Sequence, residues 1–103
     1  MKLYPNELPR DLVLDLIAIT RMLYAKEQTS GGHPVKLQQI ADIGRSLRLA
    51  LDMAKAGPGT MGMRTAWSRT DDAIEALGEL LKDEQALPLL RTVETRLLKL
   101  KRA

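Results

Sequence analysis

Apolar positions in this chain recur at steps of three and four, and the polar stretches between them fall into three short breaks. Leu12, Val13, Leu16, Ile17, Ile19, Leu23 and Tyr24 trace one face of a first helix. Asn6 is a candidate cap for it, with Pro9 tolerated in the first turn, where its missing N–H costs nothing. Thr29-Ser30-Gly31-Gly32 breaks the run, and Pro34 is suited to open a second helix. There Leu37, Ile40, Gly44, Leu47, Leu51 and Ala54 form a narrow, heptad-like seam, in which Gly44 and Ala54 would permit close helix approach. Gly57-Pro58-Gly59 ends that helix, and Thr60 is a candidate cap for a third carrying Met63, Trp67, Thr70, Ile74, Leu77 and Leu81. Lys82-Asp83-Glu84-Gln85 reads as the last connection, Pro88 lies close to the start of a fourth helix, and Leu90, Val93, Leu97 and Leu100 give its seam. No alternating β-branched run flanked by hairpin residues interrupts this pattern. Helices of about 14 to 22 residues joined by short connections favour antiparallel neighbours, so the expected fold is all-α, an antiparallel up-down four-helix bundle.

Composition narrows the picture. A chain of 103 residues makes one domain, expected to span 1–103, near the lower range for an independent core. The absence of cysteine excludes a disulfide-stapled scaffold. The longest apolar stretch, Leu12 to Thr20, is broken by Asp15 and falls well short of the roughly 20 residues of a membrane span. Lys2 leads into Tyr4-Pro5-Asn6-Glu7 rather than an apolar segment, so no signal peptide is expected and the cytoplasm is the expected location. With aromatic content at 3% and no Phe, the core rests on Leu, Ile, Ala and Met, which favours helices and self-association into a homo-oligomer.

The net charge of +3 conceals an uneven distribution. Residues 36–57 carry Lys36, Arg45, Arg48 and Lys55 against Asp42 and Asp52, and residues 83–103 carry Arg91, Arg96, Lys99, Lys101 and Arg102 against Asp83, Glu84 and Glu94. The third helix is acidic. Clustered Arg and Lys neutralise phosphates and release counterions, giving salt-dependent affinity for nucleic acid. Arg45, Arg48, Lys55, Arg64, Arg69, Lys99, Lys101 and Arg102 are the candidate contacts. The competing explanation is a solvated surface: Lys99, Lys101 and Arg102 suit a helix C-terminus, while Arg45 with Asp42 and Arg48 with Asp52 have intrahelical spacing.

Candidate chemistry is sparse. Gly57-Pro58-Gly59-Thr60-Met61-Gly62 has the letters of a dinucleotide fingerprint, but a helix precedes it and Pro58 has no N–H to offer a phosphate. His33 is the only histidine and stands between glycine and proline in a loop, unlike a phosphocarrier histidine on a helix face. With no cysteine or second histidine, neither a metal nor a cofactor is expected. Asp71, Glu75 and Glu79 make an acidic stripe that lacks the Glu-x-x-His pairs of di-metal bundles and is expected to meet Arg or Lys from a neighbouring helix or subunit. Trp67 reads as core, and Met53, Met61 and Met63 as an adaptable patch or a bundle end. No catalytic set emerges, and the expectation is a non-enzyme.

Leu23-Tyr24, Ile43-Gly44-Arg45 and Arg69-Thr70-Asp71-Asp72 resemble short words of the accessory variability determinant (Avd) proteins of diversity-generating retroelements. The chain is also similar in helix order to four-helix proteins encoded in ribosomal-RNA intervening sequences. It departs from the Avd pattern in lacking Phe, in having no spacer between Gly44 and Arg45, and in having Thr70 where a small apolar residue is usual. The resemblance implies a homopentameric barrel of bundles that binds nucleic acid on a basic surface and docks onto a reverse transcriptase. The resulting expectation is a nucleic-acid-binding accessory protein, with RNA as the favoured ligand. The alternative is a small protein-interaction or regulatory module, such as a phage-encoded inhibitor, with no affinity for nucleic acid.

Overall fold

The computed structural model describes residues 4–82 and 84–102. Four helices follow in order: α1 (Arg10–Thr29), α2 (Pro34–Ala54), α3 (Met61–Leu80) and α4 (Leu87–Arg102). No strand occurs among the described residues. The helices run up and down into an antiparallel four-helix bundle measuring 44 × 23 × 23 Å. Helix α2 packs closely between α1 and α3, while α4 lies more loosely against α1 and α3.

Helix ends follow local chemistry. Thr60 caps α3 by accepting from the Met63 N–H at 3.2 Å, while its hydroxyl donates to the Gly57 carbonyl at 2.8 Å. At the end of α1, Gly32 takes φ 64° and its N–H donates to the Glu27 carbonyl at 2.9 Å, a conformation that favours glycine. Asn6 does not cap α1. The helix starts at Arg10, with Pro9 at the cap in extended backbone. A cap at Asn6 would force Leu8, the residue before proline, into the helical region that proline disfavours. Leu8 instead folds into the core together with Val13.

The core is broader than narrow seams predict. Ile43 and Ala50 on α2, and Ala66 and Ala73 on α3, are buried beside the expected positions, giving the wider apolar stripe of a globular bundle. Trp67 is fully buried. The buried hydroxyls of Thr20 and Thr70 donate to the Leu16 and Ala66 carbonyls, each at 2.8 Å. Leu100 is not a core residue and stands 42% exposed. One helical turn beyond Leu97 the inward position belongs to Lys101, whose ammonium donates to Asp71 Oδ1 at 2.6 Å. That ammonium also lies 5.7 Å from the Tyr4 ring and 5.5 Å from the Trp67 ring, and the two rings stack at 5.8 Å.

Close approach between helices occurs at Gly62 rather than Gly44. A Cβ on Gly62 would stand 2.7 Å from the Met53 carbonyl oxygen and 2.9 Å from the Ala56 Cβ. At Gly44 the nearest atom would be a Thr20 methyl at 3.5 Å, an ordinary contact.

Candidate nucleic-acid interface

The outer faces of α1 and α2 enclose a groove of about 370 Å³. Helical spacing builds it: Ile17, Thr20, Arg21 and Tyr24 line up along α1, and Ile40, Ala41, Gly44, Arg45 and Arg48 along α2. Antiparallel pairing sets the middle of one helix beside the middle of the other. Its lining combines small residues, Ala25, Ala41 and Gly44, with the three arginines. The Arg48 guanidinium reaches across Gly44, 3.9 Å from where a Cβ would stand.

The three arginines differ in their partners. Arg45 pairs with Asp42, which also accepts from the Gln38 amide at 2.9 Å. The Arg45 hydrogen bond, and then that of Gln38, hold the Asp42 carboxyl below the usual carboxylate range. Arg21 and Arg48 have no carboxylate partner among the described residues. Two of the groove's three arginines therefore stand exposed without a carboxylate partner among the described residues. Asp52, spaced for Arg48, pairs instead with Lys55 at 3.3 Å.

The other candidate contacts are dispersed. Lys55, Arg64, Lys99, Lys101 and Arg102 belong to the bundle end where α2 and α4 finish and α3 begins. Arg64, Lys99 and Arg102 are exposed there, Lys55 is held by Asp52, and Lys101 is turned inward. Arg69 is half-buried on α3, and its Nε has no hydrogen-bond partner among the described residues. Of the eight, Arg45 and Arg48 line this groove together. Arg21 joins them there without having been named from the sequence, and Tyr24, named there on the α1 face and in a family word, lines the same groove. The signal for Arg21 was faint: it falls on the edge of the α1 apolar stripe, at the spacing set by Ile17, and only the register of α1 against α2 makes that edge a site.

The acidic stripe borders a second groove, of about 580 Å³, between α3 and α4. Asp71 meets Lys101 of α4, as expected of a neighbouring helix, and Arg91 enters the same groove while pairing with Glu94 at 2.8 Å. Glu75 and Glu79 line the groove without a salt-bridge partner among the described residues. Within those residues no three His, Cys, Asp or Glu side chains group to hold a metal ion. His33 stands exposed at the start of α2 and makes no capping hydrogen bond.

Comparison with protein-family models, with curated proteins and with solved structures finds no match. No helix is long and apolar enough to cross a membrane among the described residues.

Proposed function

We propose that this protein is a non-enzymatic, basic helical bundle that binds nucleic acid, RNA in particular, along the face shared by α1 and α2. The observation that carries the reading is the convergence of Arg21, Arg45 and Arg48 on one groove, two of them without a carboxylate partner among the described residues. Such a cluster suits phosphates, because each guanidinium offers paired donors and releases counterions on contact. Lys55, Arg64, Lys99 and Arg102 extend the positive surface at one end of the bundle. Tyr24, Gly44 and Arg45, which belong to two of the words resembling Avd proteins, all line this groove. That supports an accessory role beside a reverse transcriptase and assembly as a homo-oligomer, a pentamer in that case.

The test is fluorescence anisotropy with labelled RNA and DNA across a range of salt. Wild-type affinity should fall steeply as salt rises. The double variant Arg45→Glu, Arg48→Glu should bind more weakly, with a log-log salt slope smaller by about 1.4 to 1.8, from a slope of about 0.7 to 0.9 per neutralised phosphate. Unchanged binding in that variant, or a wild-type affinity without salt dependence, overturns the reading.

A second reading, a protein-interaction module, has its own observation. Met22 and Leu89 stand exposed in a groove of about 330 Å³ on the opposite side of α1, and Met61 is 73% exposed at the bundle end. That reading gives tight binding to one protein and no salt-dependent affinity for nucleic acid.

A further inference from the structure

We propose that the α1–α2 groove takes a single-stranded segment, one base stacking on Tyr24 and the flanking phosphates held by Arg21, Arg45 and Arg48. This rests on the nucleic-acid reading above and names the kind of strand.

Three features carry it. First, the groove is concave and much of its lining is apolar, with Ile17, Ile40 and Gly44 buried beneath it. A surface for duplex phosphates needs charge but no such lining, because duplex bases stay stacked away from it. An unpaired base, in contrast, has a flat apolar face to bury. The volume of about 370 Å³ lies at the small end of ligand sites, about 300 to 1,000 Å³, and suits one nucleotide-sized group.

Second, Tyr24 is the one aromatic side chain left for stacking. The chain has one Trp, two Tyr and no Phe. Tyr4 and Trp67 stack on each other beneath the Lys101 ammonium, and Trp67 is wholly buried. Tyr24 is half-buried and lines the groove. Its side chain packs partly against the core and also lines the groove, a placement that suits a stacking platform.

Third, the charges share the groove with the ring. Arg21 lies one turn before Tyr24 on α1, and Arg45 and Arg48 face it from α2. Guanidinium groups hold phosphates and also stack on bases, so a strand crossing the groove meets a charge on either side of its stacked base. Sequence preference should be weak, since stacking accepts any base.

The experiment compares short oligo-U and oligo-dT probes with a duplex of equal length. It uses wild type, Tyr24→Leu, Tyr24→Trp, Gly44→Leu and the double arginine variant, with helix content checked by circular dichroism. Tyr24→Leu keeps the apolar packing and removes the ring. Single-strand affinity should drop about five- to 150-fold, the value of one stacked base, with the salt slope unchanged. Tyr24→Trp should restore it. Gly44→Leu, which puts a side chain into the groove, should weaken single strands more than duplex. If Tyr24→Leu binds single strands like wild type while the double arginine variant does not, the stacking proposal fails and the phosphate reading stands. If the double arginine variant also binds like wild type, both fall. Equal affinity of wild type for duplex and single strands likewise overturns the preference stated here.

Discussion

Lys101 shows how one side chain changes role once its surroundings are known. Its ammonium is held between the Asp71 carboxylate and the faces of Tyr4 and Trp67, with the side chain mostly shielded from water. A partly desolvated cation over a ring contributes about 1 to 2 kcal/mol. Lys101→Met keeps the stem, removes the charge and leaves Asp71 without its partner. We expect a loss of about 1 to 3 kcal/mol, read from urea unfolding, whereas a purely solvated lysine would cost almost nothing. Tyr4 responds to the same surroundings. Burial first, and then the Asp71 charge, push its hydroxyl above the ordinary tyrosine value of 10.0. A group whose pKa is raised on folding stabilises the folded state below the unfolded value and loses that contribution as pH rises through the folded one. Wild type should therefore lose stability relative to Tyr4→Phe above about pH 10, with the two curves parallel below it. Curves that stay parallel to pH 11 would refute the account. The sequence counted Lys101 among the phosphate contacts for a simple reason: Asp71 is 30 residues away and Tyr4 lies at the far end of the chain. Helical spacing shows which residues share a face, but not what another helix brings against it.

At the scale of helices, most of the architecture was legible. Pro34, Gly57-Pro58-Gly59 and Thr60 mark boundaries through backbone chemistry that acts within a few residues, and the structure has breaks at those places. The start of α1 was misread because Asn6 looked like a cap while the constraint of Pro9 on Leu8 lay two positions further on. Glycine roles were harder, since the need for a bare Cα depends on the opposing backbone. Gly62→Ala should destabilise the fold even though alanine favours a helix over glycine by about 1 kcal/mol, because the new methyl meets a carbonyl oxygen and another methyl. Gly44→Ala should instead be neutral or stabilising by up to about 1 kcal/mol, since the methyl has room. Thermal unfolding of the pair separates them, and equal shifts would contradict the packing described. Helix α4 buries only Leu90, Val93 and Leu97, against seven side chains on α1 and seven on α3. Its amides should therefore exchange with solvent before those of α2 and α3, in a cooperative opening that leaves the other helices protected.

For the whole molecule, the charge distribution and the bundle topology act together. The sequence located the excess of Arg and Lys on α2 and α4, yet topology separates it into a groove at mid-bundle and a cluster at one end. The candidate site was thus partly legible: Arg45, Arg48 and Tyr24 were named from the sequence, while Arg21 and the grouping of all four needed the register between α1 and α2. Light scattering tests the assembly proposed above. A particle of about five times 11.5 kDa supports the barrel, and a stable monomer at working concentrations overturns it.

An even number of antiparallel helices returns the chain to the end from which it set out, and here Tyr4 and Lys101 are in contact. The order in which the helices are joined is therefore separable from how they pack. A short glycine-rich link across that contact, with the chain opened between Gly31 and Gly32, gives the order α2, α3, α4, α1 around an unchanged core. Such a circular permutant should keep the helical circular-dichroism spectrum of the parent. It would also place the new ends beside the α1–α2 turn, leaving the arginine groove intact and the former ends closed into a loop.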